Sequence, residues 1–238
     1  MTTEKRPSSI ESASARLRAM SLATEEGAPL GAEDALQAQL GIARSTVRQA
    51  ARILEREGLL RVKRGASGGY FAARPQMEVI ENAVSAYLRT KSIEARDVMV
   101  VANLVWPEAV RLAAAKPATP ESLEQLSRGQ TLVDQARGDM TREEFAVLEK
   151  GVSQLIVRLS GSSYIELIFG INSAFFRLEE RRSLRISEAD IAEWRERRSL
   201  ELAAIRSGDQ ELAIFAGRRF REFFHGWVMG ADRDQQGA

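Results

Sequence analysis

The chain contains no cysteine and a single histidine, His225, among its 238 residues. Without thiols there can be no disulfide and no Cys-ligated zinc. One imidazole, no thiol and no phosphate-cradling glycine loop leave little of the chemistry that covalent, metal or phosphoryl catalysis requires, so an enzyme is not expected. Glu143, Glu144, Glu149, Glu179 and Glu180 supply carboxylates, but acids on surface helices are ordinarily solvated. No apolar run reaches the length of about 18 residues that a membrane helix needs. The opening MTTEKRPSSIESASARLRAM lacks the apolar core of a secretion signal. The expectation is a cytoplasmic protein with no membrane partner. A large charge excess is also missing, the net charge being +1.

The charge that is present is unevenly placed. Up to Pro75 there are 12 Lys/Arg against 8 Asp/Glu, and the remainder holds 22 against 25. Between Arg44 and Arg64 the bias sharpens to seven basic against two acidic residues. Arg44, Arg48, Arg52 and Arg56 recur every four residues. A local basic stripe on a near-neutral protein is the footprint of nucleic-acid contact, although on charge alone a solvated helix face fits equally well.

The pattern divides near Pro75. Residues 1–9 are expected to be disordered. Residues 12–26 read as a helix with Ala15, Leu17, Met20, Leu22 and Ala23 as its apolar positions, and "GAPLG" reads as a loop. Residues 32–40 form a second helix with Ala35, Leu36 and Leu40 inward, closed by Gly41. In residues 44–57 Val47, Ala50, Ala51 and Leu54 recur at i, i+3, i+4, i+7, one buried stripe on a helical period. Gly58 ends that helix, and "LLRVKRG", "ASGG" and "YFAA" read as a hairpin. Beyond Pro75 come "MEVIENAVSAYLRT" and helical patterns over 95–115, 120–137, 142–160, 163–182, 188–207 and 209–229. The expected fold is mainly α: an N-terminal winged helix-turn-helix with a small β-hairpin (10–75), followed by an all-α helical bundle (76–232).

In a helix-turn-helix the first residues of the second helix enter the major groove. Here those are Arg44, Ser45, Thr46 and Arg48, opposite the buried stripe. Arginine can pair with guanine in a bidentate fork, and serine and threonine can bond phosphate or base. Lys63, Arg64 and Gly65 fall at the tip of the wing, where glycine permits close approach to a groove. Double-stranded DNA is the expected partner. Trp106, Trp194 and Trp227 sit in helical patterns that suit core or interface, and "RLEERRSLR" (177–185) suits a solvated helix end.

The stretch LGAEDALQAQLGIARSTVRQAARILEREGLLRVKRGASGGYF resembles the winged helix-turn-helix of GntR-family bacterial transcription regulators. Glu33, Leu36, Leu40, Gly41, Arg44, Ser45, Val47, Arg48, Leu54, Glu57, Gly58, Leu59, Arg64, Gly65, Gly69 and Phe71 carry the resemblance. Asp34 departs from it, standing where the family usually has a DNA-touching arginine. "VWPEAVRLAAAK", "RLSGSSYIELI" and "RRSLELAAIRSGDQELA" resemble the all-helical FCD effector domain of the FadR-type subfamily. The resemblance implies a ligand-responsive transcription regulator, expected to be a repressor that binds a palindromic operator as a homodimer.

Many FCD domains hold a divalent metal through one acid and three histidines beside a small carboxylate effector. In this chain the acid falls at Glu149, and the histidine positions fall at Ser153, Arg198 and Phe220. Serine is a poor ligand, arginine is cationic and phenylalanine has no donor, so no metal cofactor is expected. His225, five residues past Phe220, points to another side of its helix and is expected to be partly buried. Near Ala102 and Asn103 the arginine that the family uses is also missing. Glu149, Ser153, Arg198 and Phe220 are therefore the candidate pocket for a small organic effector. Three readings remain for it: an internal Arg198–Glu149 salt bridge, direct binding of an anionic effector by Arg198, or an apolar pocket helped by Phe220. The alternative function is a dimeric DNA-binding protein whose helical domain has lost its effector.

Overall fold

The computed structural model describes residues 9–65, 68–91, 93–178 and 187–236. The chain separates into two units, one reaching Ile80 and one beginning at Glu81. The first contains α1 (Ser9–Ala23), β1 (Pro29–Gly31), α2 (Glu33–Leu40), α3 (Arg44–Arg56), β2 (Leu60–Lys63) and β3 (Gly69–Ala72). The helix α4 (Met77–Thr90) spans the division. The second unit contains α5 (Ala95–Ala114), α6 (Pro120–Asp134), α7 (Arg142–Ser160), α8 (Ser163–Leu178), α9 (Glu188–Ser207) and α10 (Gln210–Gln236).

Val47, Ala50 and Leu54 of α3 are completely buried, and Ala51 is nearly so. They pack with Leu17 of α1, Leu36 of α2 and Leu59, Leu60 and Tyr70 of the sheet region. Each fully buried valine or leucine contributes about 1.5–3 kcal/mol. α2 ends at Gly41, whose φ of 66° is the left-handed closure expected there. The face of α1 differs from the sequence expectation. Ala13, Ser14, Leu17 and Ser21 are buried, whereas Leu22 is 55% exposed and Ala15 and Ala23 are exposed. Ser21 can turn inward because its hydroxyl donates to the Leu59 carbonyl at 2.5 Å. Ala35 of α2 likewise faces solvent, leaving Leu36 and Leu40 as the buried contacts.

The hairpin is part of a three-stranded antiparallel sheet of order β1-β3-β2. β2 and β3 pair Leu60 with Ala72 and Lys63 with Gly69. The third strand, β1, lies inside the "GAPLG" stretch read from sequence as a loop. Three residues including Pro29 carry no alternation signal, and the strand exists only through pairing with β3. A Cβ at Gly69 would meet the Gly31 carbonyl oxygen at 3.0 Å, so a small residue is what lets β1 lie this close. Arg74 fastens the end of α1 by donating to the carbonyls of Ser21, Leu22 and Thr24 at 2.7–3.3 Å.

The regular elements of the second unit's described residues are all helices. Trp106, Val110, Val152, Ile156, Trp194 and Phe220 are fully buried in one core. α6, α7 and α9 each begin with a reciprocal capping box, Thr119 with Ser122, Thr141 with Glu144 and Ser187 with Asp190. Such caps satisfy amides that otherwise face water at helix starts. α8 is described to Leu178 and α10 continues to Gln236, past the expected end at 229. The 1–9 tail, except Ser9 which starts α1, lies outside the described residues, as does most of 177–185.

Candidate nucleic-acid interface and buried charge cluster

The start of α3 brings Arg44, Ser45 and Arg48 to the surface, with Thr46 half-buried. Ala43 occupies the N-cap and supplies no side-chain cap. Ala32, at the same position of α2, supplies none either. An uncapped, positive helix end beside two exposed arginines is an arrangement that accepts phosphate.

Both arginines rest on α2. Glu33 forms an ion pair with Arg44, one oxygen lying 2.9 Å from its Nε, and accepts a hydrogen bond from Arg48 Nε at 2.8 Å through the other. Asp34 accepts from Arg44 Nη2 at 2.6 Å. Tyr70 of β3 donates its hydroxyl to Glu33 at 3.2 Å and thereby ties the sheet to the same carboxylate. The hydrogen bond from Arg48 is the main reason that the Glu33 carboxyl lies below its ordinary range, with Tyr70 and Arg44 adding to it. Burial is the main cause that raises the Tyr70 phenol. Arg44 and Arg48 remain 56% and 58% exposed, so water screens these pairs and the end of each guanidinium stays open to a partner.

In the wing, Lys63 ends β2 with its ammonium 4.6 Å from the centre of the Phe71 ring. Arg64 and Gly65 follow, both exposed. Gly65 has φ +110°, a backbone state that a side chain would strain. Ala66 and Ser67 of the expected turn lie outside the described residues. Sequence reasoning named the basic residues but missed the supporting set of Glu33, Asp34 and Tyr70. The spacing of acids on one helix and arginines on the next carries no mark of which pairs meet.

The four pocket candidates of the second unit meet in one cluster. Arg198 of α9 is completely buried. It donates to Glu149 of α7 from Nε at 3.2 Å and from Nη2 at 2.5 Å. Nη2 also reaches Ser153 Oγ at 2.7 Å, and Nη1 reaches Glu201 at 2.7 Å. The guanidinium lies 3.5 Å from the centre of the Phe220 ring and 4.8 Å from that of Trp106. Trp194 donates to Glu149 at 2.7 Å and Trp106 donates to Glu201 at 2.5 Å. Of the three readings, the internal Arg198–Glu149 salt bridge is present, and it is joined by Glu201, which sequence reasoning did not single out.

Burial pushes the Glu201 carboxyl up to about 7, outweighing Arg198 and Trp106. Burial also works against the Arg198 charge, but Glu149 and Glu201 more than offset it and the net direction is upward. Arg221 of α10 is a second buried cation in this region. It donates to Asn103 Oδ1 at 2.8 Å and approaches Met99 Sδ at 3.3 Å. Burial lowers it to about 10. Asn103 also lies 3.5 Å from Nδ1 of the partly buried His225. Trp106 and Trp194 are core residues, and the side chain of Trp227 lies outside the described residues.

These residues do not fit a bound metal. Both Glu149 oxygens already accept hydrogen bonds from Arg198, Ser153 and Trp194. A divalent ion at this carboxylate would also meet the guanidinium at close range. No group of three His, Cys, Asp or Glu side chains is placed to hold a metal among the described residues. No helix among them is long and apolar enough to cross a membrane.

Comparison with known proteins agrees with this architecture. Residues 10–68 match the bacterial regulatory proteins of the gntR family, and residues 97–220 match the FCD domain. A solved GntR protein of Streptococcus agalactiae is similar at 20% identity and a TM-score of 0.68, covering 90% of this chain and 98% of that one. E. coli McbR/YncC is 19% identical over 96% of this chain and 99% of its own, with a TM-score of 0.44. No curated protein matches significantly. The first of these structures establishes a shared fold, and none of them transfers a ligand or a target.

Proposed function

The chain belongs to the GntR family of bacterial regulatory proteins with an FCD domain, a family of DNA-binding transcription regulators rather than enzymes, and from that premise we propose that it is a cytoplasmic, ligand-responsive repressor acting as a homodimer on a palindromic operator. Arg44, Ser45, Thr46 and Arg48 read the major groove, and Lys63, Arg64 and Gly65 of the wing hold the flanking backbone or groove. The observation that carries this reading is the start of α3. Two exposed arginines stand beside uncapped amides, each on a carboxylate that orients it without burying it. Exposed apolar residues on the packed pair α5 and α10, Val100, Leu104 and Phe215, support self-association of the second unit. A two-fold dimer would match a palindromic site.

The bundle works without a metal. Arg198 supplies the positive charge against Glu149, and Glu149, Ser153, Arg198 and Phe220 form the centre from which an effector would bias the helices. An anionic effector reaches Arg198 by displacing Glu149. The engagement of all three guanidinium nitrogens favours a second reading, in which the bundle serves dimerisation alone. Native mass spectrometry of protein purified gently from its own host, with metal analysis on the same sample, separates them. A dimer carrying an organic ligand and no stoichiometric metal supports the first reading, and an empty metal-free dimer supports the second. A stoichiometric metal would refute the metal-free assignment.

A further inference from the structure

Arg44 and Arg48 lie one turn apart on α3 but are held differently. Arg48 is held at Nε alone, by Glu33. Arg44 is held at two points, its Nε in an ion pair with Glu33 and its Nη2 in a hydrogen bond to Asp34. Those two nitrogens form the side edge of the guanidinium. What remains is its end edge, both hydrogens of Nη1 and the second of Nη2, and that edge matches O6 and N7 of guanine. Asp34 is 79% exposed, and Arg44 is its only polar contact among the described residues. It lies in the first turn of α2, where a helix end favours an acid.

We propose that Asp34 is a specificity-determining residue of DNA recognition, a positioning residue that acts through Arg44. It rests on the reading of α3 as the DNA-contacting helix. Asp34 does two things at once. It pins the Arg44 guanidinium so that its end edge is presented in one orientation, which lowers the ordering cost at a matched base. It also places a negative charge beside the phosphate path, which weakens binding to every sequence alike. The combination trades affinity for discrimination.

The test uses the full chain and duplexes enriched from a randomised library by the wild-type protein. Affinity for the enriched duplex and for a scrambled duplex of equal composition is measured over a series of KCl concentrations. Asp34→Asn is expected to lower the enriched-over-scrambled ratio about tenfold, the worth of one good base contact, with tighter binding to scrambled DNA. Asp34→Glu keeps the carboxylate and is expected to keep the ratio. Asp34→Arg is expected to tighten binding to both duplexes and to steepen the salt dependence by about one further counterion. An unchanged ratio in Asp34→Asn, or equal weakening on both duplexes, overturns the proposal. If the wild type enriches no duplex, or Arg44→Ala binds as the wild type does, the reading of α3 fails first and the proposal with it.

Discussion

Two sets of arginine–carboxylate pairs sit in the two units and behave as opposites. In the first unit Arg44 and Arg48 lean on Glu33 and Asp34 in water, more than half exposed. In the second Arg198 lies between Glu149 and Glu201 with no exposure, roofed by Phe220 and Trp106. Helix starts follow the same division. α2 and α3 have no side-chain cap, whereas α6, α7 and α9 carry complete capping boxes. The same ionic chemistry is open to solvent where DNA is expected and sealed where the helices must hold together. Exposure decides which.

The largest expected effect breaks the sealed side. Arg198→Ala leaves Glu149 and Glu201 without their cation and should cost about 3–5 kcal/mol of stability. Urea unfolding followed by tryptophan fluorescence reads this, since Trp106 and Trp194 both touch the cluster. On the exposed side, Arg44→Ala and Arg48→Ala should leave the unfolding midpoint almost unchanged. The same changes should weaken binding to an enriched duplex by about 1–3 kcal/mol, read by fluorescence anisotropy. Equal loss on scrambled DNA would make the residue a phosphate contact only.

A pH series sharpens the contrast. Glu201 has its folded pKa raised to about 7, from an ordinary 4.5. Between those values the folded state binds more protons than the unfolded one, so this group's contribution to stability falls as pH rises through the window. Arg198, Glu149 and the more distant Arg221 set the local charge against which it titrates. Relative to Glu201→Gln, the wild type should lose about 3 kcal/mol across that window. A flat difference would show that Glu201 stays ionised. Glu33, lowered rather than raised, acts in the other direction, and its contribution is lost only as pH falls below the ordinary carboxylate range. The smallest effect comes from Ala43→Ser, which gives α3 a cap. It should stabilise the first unit by about 0.5–1 kcal/mol and weaken DNA binding slightly, because the new hydroxyl competes for amides that phosphate would take.

The parts of this account that were legible in the sequence are those with a period. Val47, Ala50, Ala51 and Leu54 announce both α3 and its buried face, and so place Arg44 and Arg48 outside. β1 could not be read, because a three-residue strand containing Pro29 is made by its partner β3. The face of α1 was misread because its inward contacts include Ser14 and Ser21, whose burial depends on tertiary surroundings. Glu149 and Arg198 could be brought together by the family resemblance. Glu201 could not, since an acid three residues along a helix is ordinarily solvated and only the surrounding aromatic rings show that this one is not. Asp34 was visible as a departure from the family pattern, but its hold on Arg44 is a distance between two helices.

The most direct test of the contrast follows the arginine Nε–H groups of the full chain by NMR, through their exchange with water and their shifts on addition of an enriched duplex. The account predicts slow exchange and an unchanged signal for Arg198, and fast exchange with large shifts for Arg44 and Arg48 when the duplex is added. Fast exchange at Arg198, or signals of Arg44 and Arg48 that ignore the duplex, would contradict it.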